Sequence, residues 1–419
     1  MNKYKYCSLK ELVSKASTGL DAIKRAPIVD HNTGTRCLRI QDVSQKKEFS
    51  SWGYCSVTVE NFKRFSLNPE EIIVARTGNT IGVNMYISNK LKSVFNNGLI
   101  RLRVNSSICL SKYLYYNLQS TAYWAHIESI AFGTSTQPNM QIDSLLQFQV
   151  PLPSISIQTL IASILSSLDD KIELNRQMNQ TLEEMAQALF KKYFVDGIDK
   201  ENLPVGWRAG KLGDIVHIKG GTTPSTKQME LWNGGISWTS PKDLSKIKSN
   251  VLLKTEKTLT QAGLKKISSG LLPIGTLLLS SRAPIGYLAI TQIPVAINQG
   301  YIAILNNEVY SNIFMLFWLK NNMDIIVRNA NGSTFLEVSK SVFRSIDLNI
   351  PPAELLQQFN VAVLPLFERI VKNEKEIETL IEMRNNLLPK LMSGEIDVTS
   401  FSTEAVSSDS DPLKLQPTS

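Results

Sequence analysis

Residues 151–194, PLPSISIQTLIASILSSLDDKIELNRQMNQTLEEMAQALFKKYF, lie without a gap over residues 349–392, NIPPAELLQQFNVAVLPLFERIVKNEKEIETLIEMRNNLLPKLM. Pro153/Pro351, Leu168/Leu366, Ile172/Ile370, Asn175/Asn373, Thr181/Thr379, Leu182/Leu380, Glu184/Glu382, Met185/Met383, Leu189/Leu387 and Lys192/Lys390 are identical, each pair 198 positions apart. Both copies open on prolines, which the first turn of a helix tolerates. In the first copy Leu168, Ile172, Asn175, Asn179, Leu182, Ala186 and Leu189 alternate spacings of four and three. Leu366, Ile370, Asn373, Ile377, Leu380, Arg384 and Leu387 repeat the pattern. That is a coiled-coil seam, with Met185 and Met383 expected to widen it.

Two seams in register with one another favour mutual packing over two isolated amphipathic helices. The pair register should rest on Ile172, Asn175 and Leu182 with their counterparts Ile370, Asn373 and Leu380. A buried Asn in such a seam costs stability but fixes register, because mispairing strands its amide. In an antiparallel pair Asn175 and Asn373 could face each other. Each helix should run roughly 30 residues, on the order of 45 Å at ~1.5 Å per residue. Pro365 should kink the second helix or split off its start.

Fainter echoes precede both copies: Asp42-Val43-Ser44 with Asp243-Leu244-Ser245, and Gly133-Thr134-Ser135 with Gly332-Ser333-Thr334. One unit, a mixed domain followed by a long helix, has been duplicated. A duplicated chain has pseudo-twofold symmetry available to it, as duplex DNA does. The expected class is α+β, with domains at 1–150 and 199–350, helical spacers at 151–198 and 351–398, and a disordered tail at 399–419.

Charge follows the same division. The net charge of +8 divides into +8 for residues 1–150, −2 for 151–200, +7 for 201–350 and −5 for 351–419. Basic globular domains alternating with acidic helices form the footprint of two nucleic-acid-binding domains joined by something that binds protein. Cys7, Cys37, Cys55 and Cys109 are scattered, with no CxxC pair, and only three histidines occur, so no zinc cluster is expected. Unpaired thiols, no apolar leader and no run long enough to span a bilayer point to a cytoplasmic protein without a membrane role.

Short apolar runs at 71–74, 277–279 and 302–304, punctuated by glycine loops, read as strands in both domains. The second domain opens with Gly206-Trp207, Leu212-Gly213-Asp214-Ile215 and Gly220-Gly221-Thr222-Thr223-Pro224-Ser225. Gly234-Gly235-Ile236-Ser237-Trp238 and Ser240-Pro241-Lys242-Asp243-Leu244 follow, and the chain closes its helical pattern on Arg384-Asn385-Asn386-Leu387-Leu388-Pro389-Lys390-Leu391-Met392-Ser393-Gly394. In combination these motifs resemble the specificity subunits of type I restriction-modification systems, over essentially the whole chain. The first domain departs from the pattern, lacking both the GW opening and the GGTP loop.

The resemblance implies a non-catalytic subunit with two target recognition domains, each reading one half of a split DNA sequence. The helices would set the gap between the halves and dock two methyltransferase subunits. Those partners would carry S-adenosylmethionine, this chain holding no cofactor, and restriction (motor and nuclease) subunits would join them. Two other readings stay open on the residues: a single-chain DNA methyltransferase or nuclease with similar domains, and a protein-binding scaffold without a DNA role.

Polar loop residues near glycines are the candidates for DNA contact. They are Thr222, Thr223, Ser225, Lys227, Lys242 and Arg282 in the second domain, and Arg76, Thr77 and Asn79 in the first. ARTGNTIG at 75–82 matches SSRAPIG at 280–286. Arg suits guanine, Asn and Gln suit adenine, and Ser, Thr and Lys more often hold phosphates. Turn chemistry is the plainer reading of Thr222–Ser225, and a salt bridge that of the two arginines. Trp232 and Trp238 read as core. Asn298-Gln299-Gly300 and Asn96-Asn97-Gly98 read first as turns between strands, with DNA contact second. No catalytic constellation stands out. Asn349-Ile350-Pro351-Pro352 reads as a helix start, and Asp169-Asp170 as a solvated helix face.

Overall fold

The computed structural model describes residues 4–131, 139–199, 201–332 and 336–400. The Gly133-Thr134-Ser135 echo, its partners Ser333 and Thr334, and residues 401–419 of the expected tail lie outside the described residues. Val398–Ser400 form a 3-10 turn and Val398 is buried, so order extends past the expected tail start at 399.

The chain divides into two compact units, residues 1–170 with 381–419, and residues 171–380. The divisions fall inside two long helices, α1 (Ile155–Phe194) and α2 (Ala353–Ser393). Packing explains this. In the first unit Ile161, Ala162 and Leu165 of α1 share a core with Leu388, Leu391 and Met392 of α2 and with the globular layer. In the second unit Phe190 of α1 stacks against Phe314 and Phe359, within 5.8 and 6.0 Å. Burying each such ring removes roughly 1.5–3 kcal/mol of apolar exposure from water. Both helices exceed the expected length, at 40 and 41 residues, and Pro365 does not divide α2.

Within the second unit, Lys171 pairs with Glu376 while Asn179 meets Glu374 and Asn373, so the helices run antiparallel. Ile172, Asn175, Asn179 and Ala186 are buried, as are Ile370, Asn373 and Ile377, while Leu182 and Leu380 are half-buried. Met185 and Met383 are 49% and 46% exposed and lie outside the seam they were expected to widen. Asn373 does not face Asn175. Its Nδ2 donates to Asn179 Oδ1 at 2.8 Å, because antiparallel packing sets it beside the residue one turn further along. In the first unit Asp169 accepts from Arg384 at 2.6 Å and from the Tyr116 hydroxyl at 2.8 Å, so it is a paired group and not a solvated face.

The duplication is visible strand by strand. In the first unit the main sheet runs Val13–Thr18, Leu99–Val104, Ile72–Ala75, Asn84–Tyr86, all antiparallel. In the second, Ile218–Lys219, Tyr301–Ile304, Leu277–Ser280 and Leu288–Thr291 repeat that order, and Val251–Leu252 adds a parallel edge. A smaller sheet in each contains one parallel pair, Arg36–Leu38 with Ser93–Phe95 and Trp232–Thr239 with Ala296–Ile297. Each unit also pairs its first strand with its last, Lys5–Ser8 with Gln149–Leu152 and Arg208–Lys211 with Asp347–Ile350. Among the described residues no helix is long and apolar enough to cross a membrane.

Candidate nucleic-acid interface

The glycine loop of the second unit leaves the strand Ile218–Lys219 and crosses directly over the end of Ala296–Ile297. A Cβ on Gly221 would overlap the Ile297 carbonyl oxygen, which is why glycine is needed here. The Thr222 N–H donates to that same oxygen at 3.1 Å. Its hydroxyl donates to Lys266 O at 2.7 Å and accepts from Ser268 N at 3.2 Å. The Thr222 side chain is thus engaged in closing the loop, the plainer of the two sequence readings. Thr223 is exposed and reaches Gln299, its hydroxyl 2.6 Å from the amide Oε1. Ser225 and Lys227 are exposed further along. The Ser225 carbonyl accepts from Trp232 Nε1 at 3.1 Å. Trp232 and Trp238 are buried edge to face, ring centres 5.1 Å apart, and anchor the loop from the core.

Two further segments converge on this loop. Asn298-Gln299-Gly300 turns between strands, with Asn298 Oδ1 accepting from Gly300 N at 2.9 Å. The short helix Pro241–Leu244 is capped by Asp243, which accepts from Ser240 N at 2.8 Å, and Pro241 lies against Gly300. Lys242 of that helix sits 3.4 Å from Glu256. Glu256 also pairs with Lys246, and the two lysines hold its carboxyl below the usual glutamate range, Lys246 most strongly. Arg282 pairs with Glu337 at 3.3 Å, the salt bridge that the sequence left open beside DNA contact.

The first unit builds the same arrangement from different residues. Gly19 stands where Gly221 does: a Cβ there would overlap the carbonyls of Phe95 and Asn96, and the next N–H, of Leu20, donates to Phe95 O at 3.0 Å. Leu9–Leu12, capped by Glu11 on Ser8 N at 3.0 Å, repeats Leu212–Asp214, capped by Asp214 on Lys211 N at 2.8 Å. The glycine loop missing from this domain as a motif is therefore present as geometry. The signal was an acid three residues after the cap, then a lone glycine. Asp42 repeats Asp243, accepting from Arg39 N at 3.0 Å, so the faint Asp-x-Ser echo marks one conserved cap geometry.

The two arginines are not equivalent. Arg76 N donates to Gly98 O at 3.0 Å and its carbonyl accepts from Met140 N at 2.8 Å. Ser281, not Arg282, makes the matching bonds, to Gly300 O at 2.9 Å and from Val338 N at 3.0 Å. Arg282 corresponds to Thr77, since the loop of the second unit is one residue shorter before its closing Ile-Gly. Arg76 nonetheless bonds the matching partner position, its guanidinium 3.0 and 3.2 Å from Asn139 Oδ1, just as Arg282 reaches Glu337. Thr77 follows it, Gly78 turns at φ 76°, and Asn79 is exposed at the tip.

A family model described as the type I restriction modification DNA specificity domain matches twice, at residues 4–184 and 204–383. The chain belongs to that family. Among its relatives, the specificity subunit of the type I restriction enzyme MjaIX of Methanocaldococcus jannaschii is 28% identical over 371 residues, 84% of each chain. The HindI specificity subunit of Haemophilus influenzae is 26% identical over 393 residues, covering 77% of this chain and 85% of that one. In fold, the chain is similar to the crystal structure of a type I system S subunit from M. genitalium. The TM-score is 0.58 at 18% identity, covering 93% of this chain and 97% of that one. Specificity subunits of this family are non-catalytic. Among the described residues no group of three or more His, Cys, Asp or Glu side chains could hold a metal ion.

Proposed function

We propose that each unit reads one half of a two-part DNA target, and that the long helices set the gap and dock two methyltransferase subunits. The repeat itself carries this reading: the family's DNA specificity domain matches once per unit, and each unit gathers the same loop, turn and cap on one basic domain. The recognition domains would be 1–150 and 199–350, with 151–198 and 351–398 as spacers. Thr223, Ser225, Lys227, Lys242 and Arg282 would contact DNA in one half, and Arg76, Thr77 and Asn79 in the other. S-adenosylmethionine would sit on the methyltransferase partner, in the cytoplasm, where restriction subunits would join the complex.

Cells carrying the chain with its methyltransferase should show adenine methylation at one two-part motif, and lose it without this chain. Binding of that DNA by the complex should weaken steeply between 50 and 200 mM salt, on the order of 10³-fold for several phosphate contacts. Methylation by the methyltransferase alone at the same motif would refute the assignment.

A further inference from the structure

The turn Asn298–Gly300 and its counterpart Asn96–Gly98 each carry one exposed side chain at the tip, Gln299 and Asn97. Asn298 is engaged within its own turn, bonded to Gly300 N. Gln299 is free of the turn, and the Thr223 hydroxyl holds its Oε1 at 2.6 Å. An exposed glutamine side chain ordinarily samples many rotamers, and this bond removes part of that freedom before any ligand arrives. The hydroxyl occupies one lone pair of Oε1. The other lone pair and both Nε2 protons remain available. One acceptor beside a donor is the complement of the adenine N6 amine and N7 in the major groove.

The first unit supports the same chemistry independently. Asn97 stands at the equivalent tip, its backbone N–H fixed on Leu20 O at 2.8 Å. The loops behind the two tips have diverged, Gly19-Leu20-Asp21 against Gly221-Thr222-Thr223, yet a carboxamide is kept at both. Each turn has cations next to its packing neighbours. Arg76 itself bonds Gly98 O, and Arg39 precedes Ile40, which packs on Gly98. Arg282 follows Ser281, which bonds Gly300 O, and Lys242 follows Pro241, which packs on Gly300. Such cations suit phosphates beside the base that the amide would meet.

We propose that Gln299 and Asn97 are specificity-determining residues, each reading an adenine in the major groove of its half-site, with Thr223 positioning Gln299. This rests on the DNA-specificity reading above. The test is methylome sequencing of cells carrying the methyltransferase with the wild-type chain, Q299A, N97A or T223V. Q299A should relax one adenine position in one half of the motif, and N97A one in the other half. T223V should weaken the same position as Q299A. Complexes would then be measured on duplexes with 7-deazaadenine, which lacks the N7 acceptor, at that position. The wild type should lose roughly 5- to 150-fold in affinity, and Q299A nothing further. An unchanged Q299A motif, or a relaxed base other than adenine, would overturn the assignment while leaving the family reading intact. A wild-type complex with no two-part motif would overturn both.

Discussion

Asn373 donates to Asn179 across the helix pair at 2.8 Å, and Asn179 in turn donates to Glu374 Oε1 at 2.7 Å. Asn373 is fully buried and Asn179 nearly so, so the relay is a polar layer inside an apolar seam. Replacing Asn373 by Ala strands the Asn179 carbonyl, at a cost of about 1–3 kcal/mol. Urea unfolding should register this as a lower midpoint with an unchanged slope. Replacing both residues by Leu removes both amides and should recover part of the loss, the remainder reflecting the donor that Glu374 loses with Asn179. A neutral single substitution would mean that the layer does not hold the pair.

Glu374 gives this layer a pH dependence. Burial raises its pKa above the ordinary glutamate range of about 4.3, against the bond from Asn179 and the charge of Arg176, which lower it. As pH rises through that range the unfolded chain releases its proton first, so the folded state binds more protons. Stability contributed by this group is therefore present at acid pH and falls as pH climbs through the raised value. Glu374→Gln keeps an acceptor for Asn179 and should stabilise the chain at neutral pH. The gain should vanish below the unfolded value in melts across pH 3.5 to 7, and a gain independent of pH would contradict the account.

Gly221→Ala should destabilise the second unit by about 1–3 kcal/mol, because its Cβ overlaps a carbonyl oxygen that cannot move away without breaking the strand. Gly19→Ala should do the same in the first. In the methyltransferase complex each substitution should impair only one half of the motif. Equal loss in both halves would argue against independent reading units.

Arg282 is restrained by Glu337. If it holds a phosphate, Arg282→Ala should lower the slope of log K against log salt by about 0.9. Glu337→Gln should free the guanidinium and tighten binding. Identical salt slopes for all three chains would place Arg282 off the DNA.

Inserting four residues, about one helical turn, into both α1 and α2 should lengthen the gap between the two half-sites and leave their sequences alone. Methylome sequencing would show the motif directly, and an unchanged gap would remove the helices from any measuring role.

The helices were legible in the sequence because a long amphipathic element writes its packing at a fixed period, and two copies confirm one another. Their lateral offset was not legible, which is why Asn373 meets Asn179 and why Met185 and Met383 fall outside the seam. The glycine loop was legible only where it is spelled GGTTPS. In the first unit the constraint acts on a single Cβ, so one glycine, Gly19, satisfies it and leaves no motif. Arg76 and Arg282 looked equivalent because both precede an Ile-Gly pair, but a one-residue difference in loop length shifts them to neighbouring positions. Trp232 and Trp238 were readable as core from residue type alone.

In each unit the strand that opens the globular layer pairs with the strand that closes it, Lys5 opposite Leu152 and Arg208 opposite Ile350. Entry and exit therefore lie one ladder spacing apart, about 5 Å. A layer closed in this way is a cassette. Genetic recombination at two points flanking it could replace one reading head wholesale, while the helices and whatever grips them continue unchanged, and each exchange would give the host a new address on its genome.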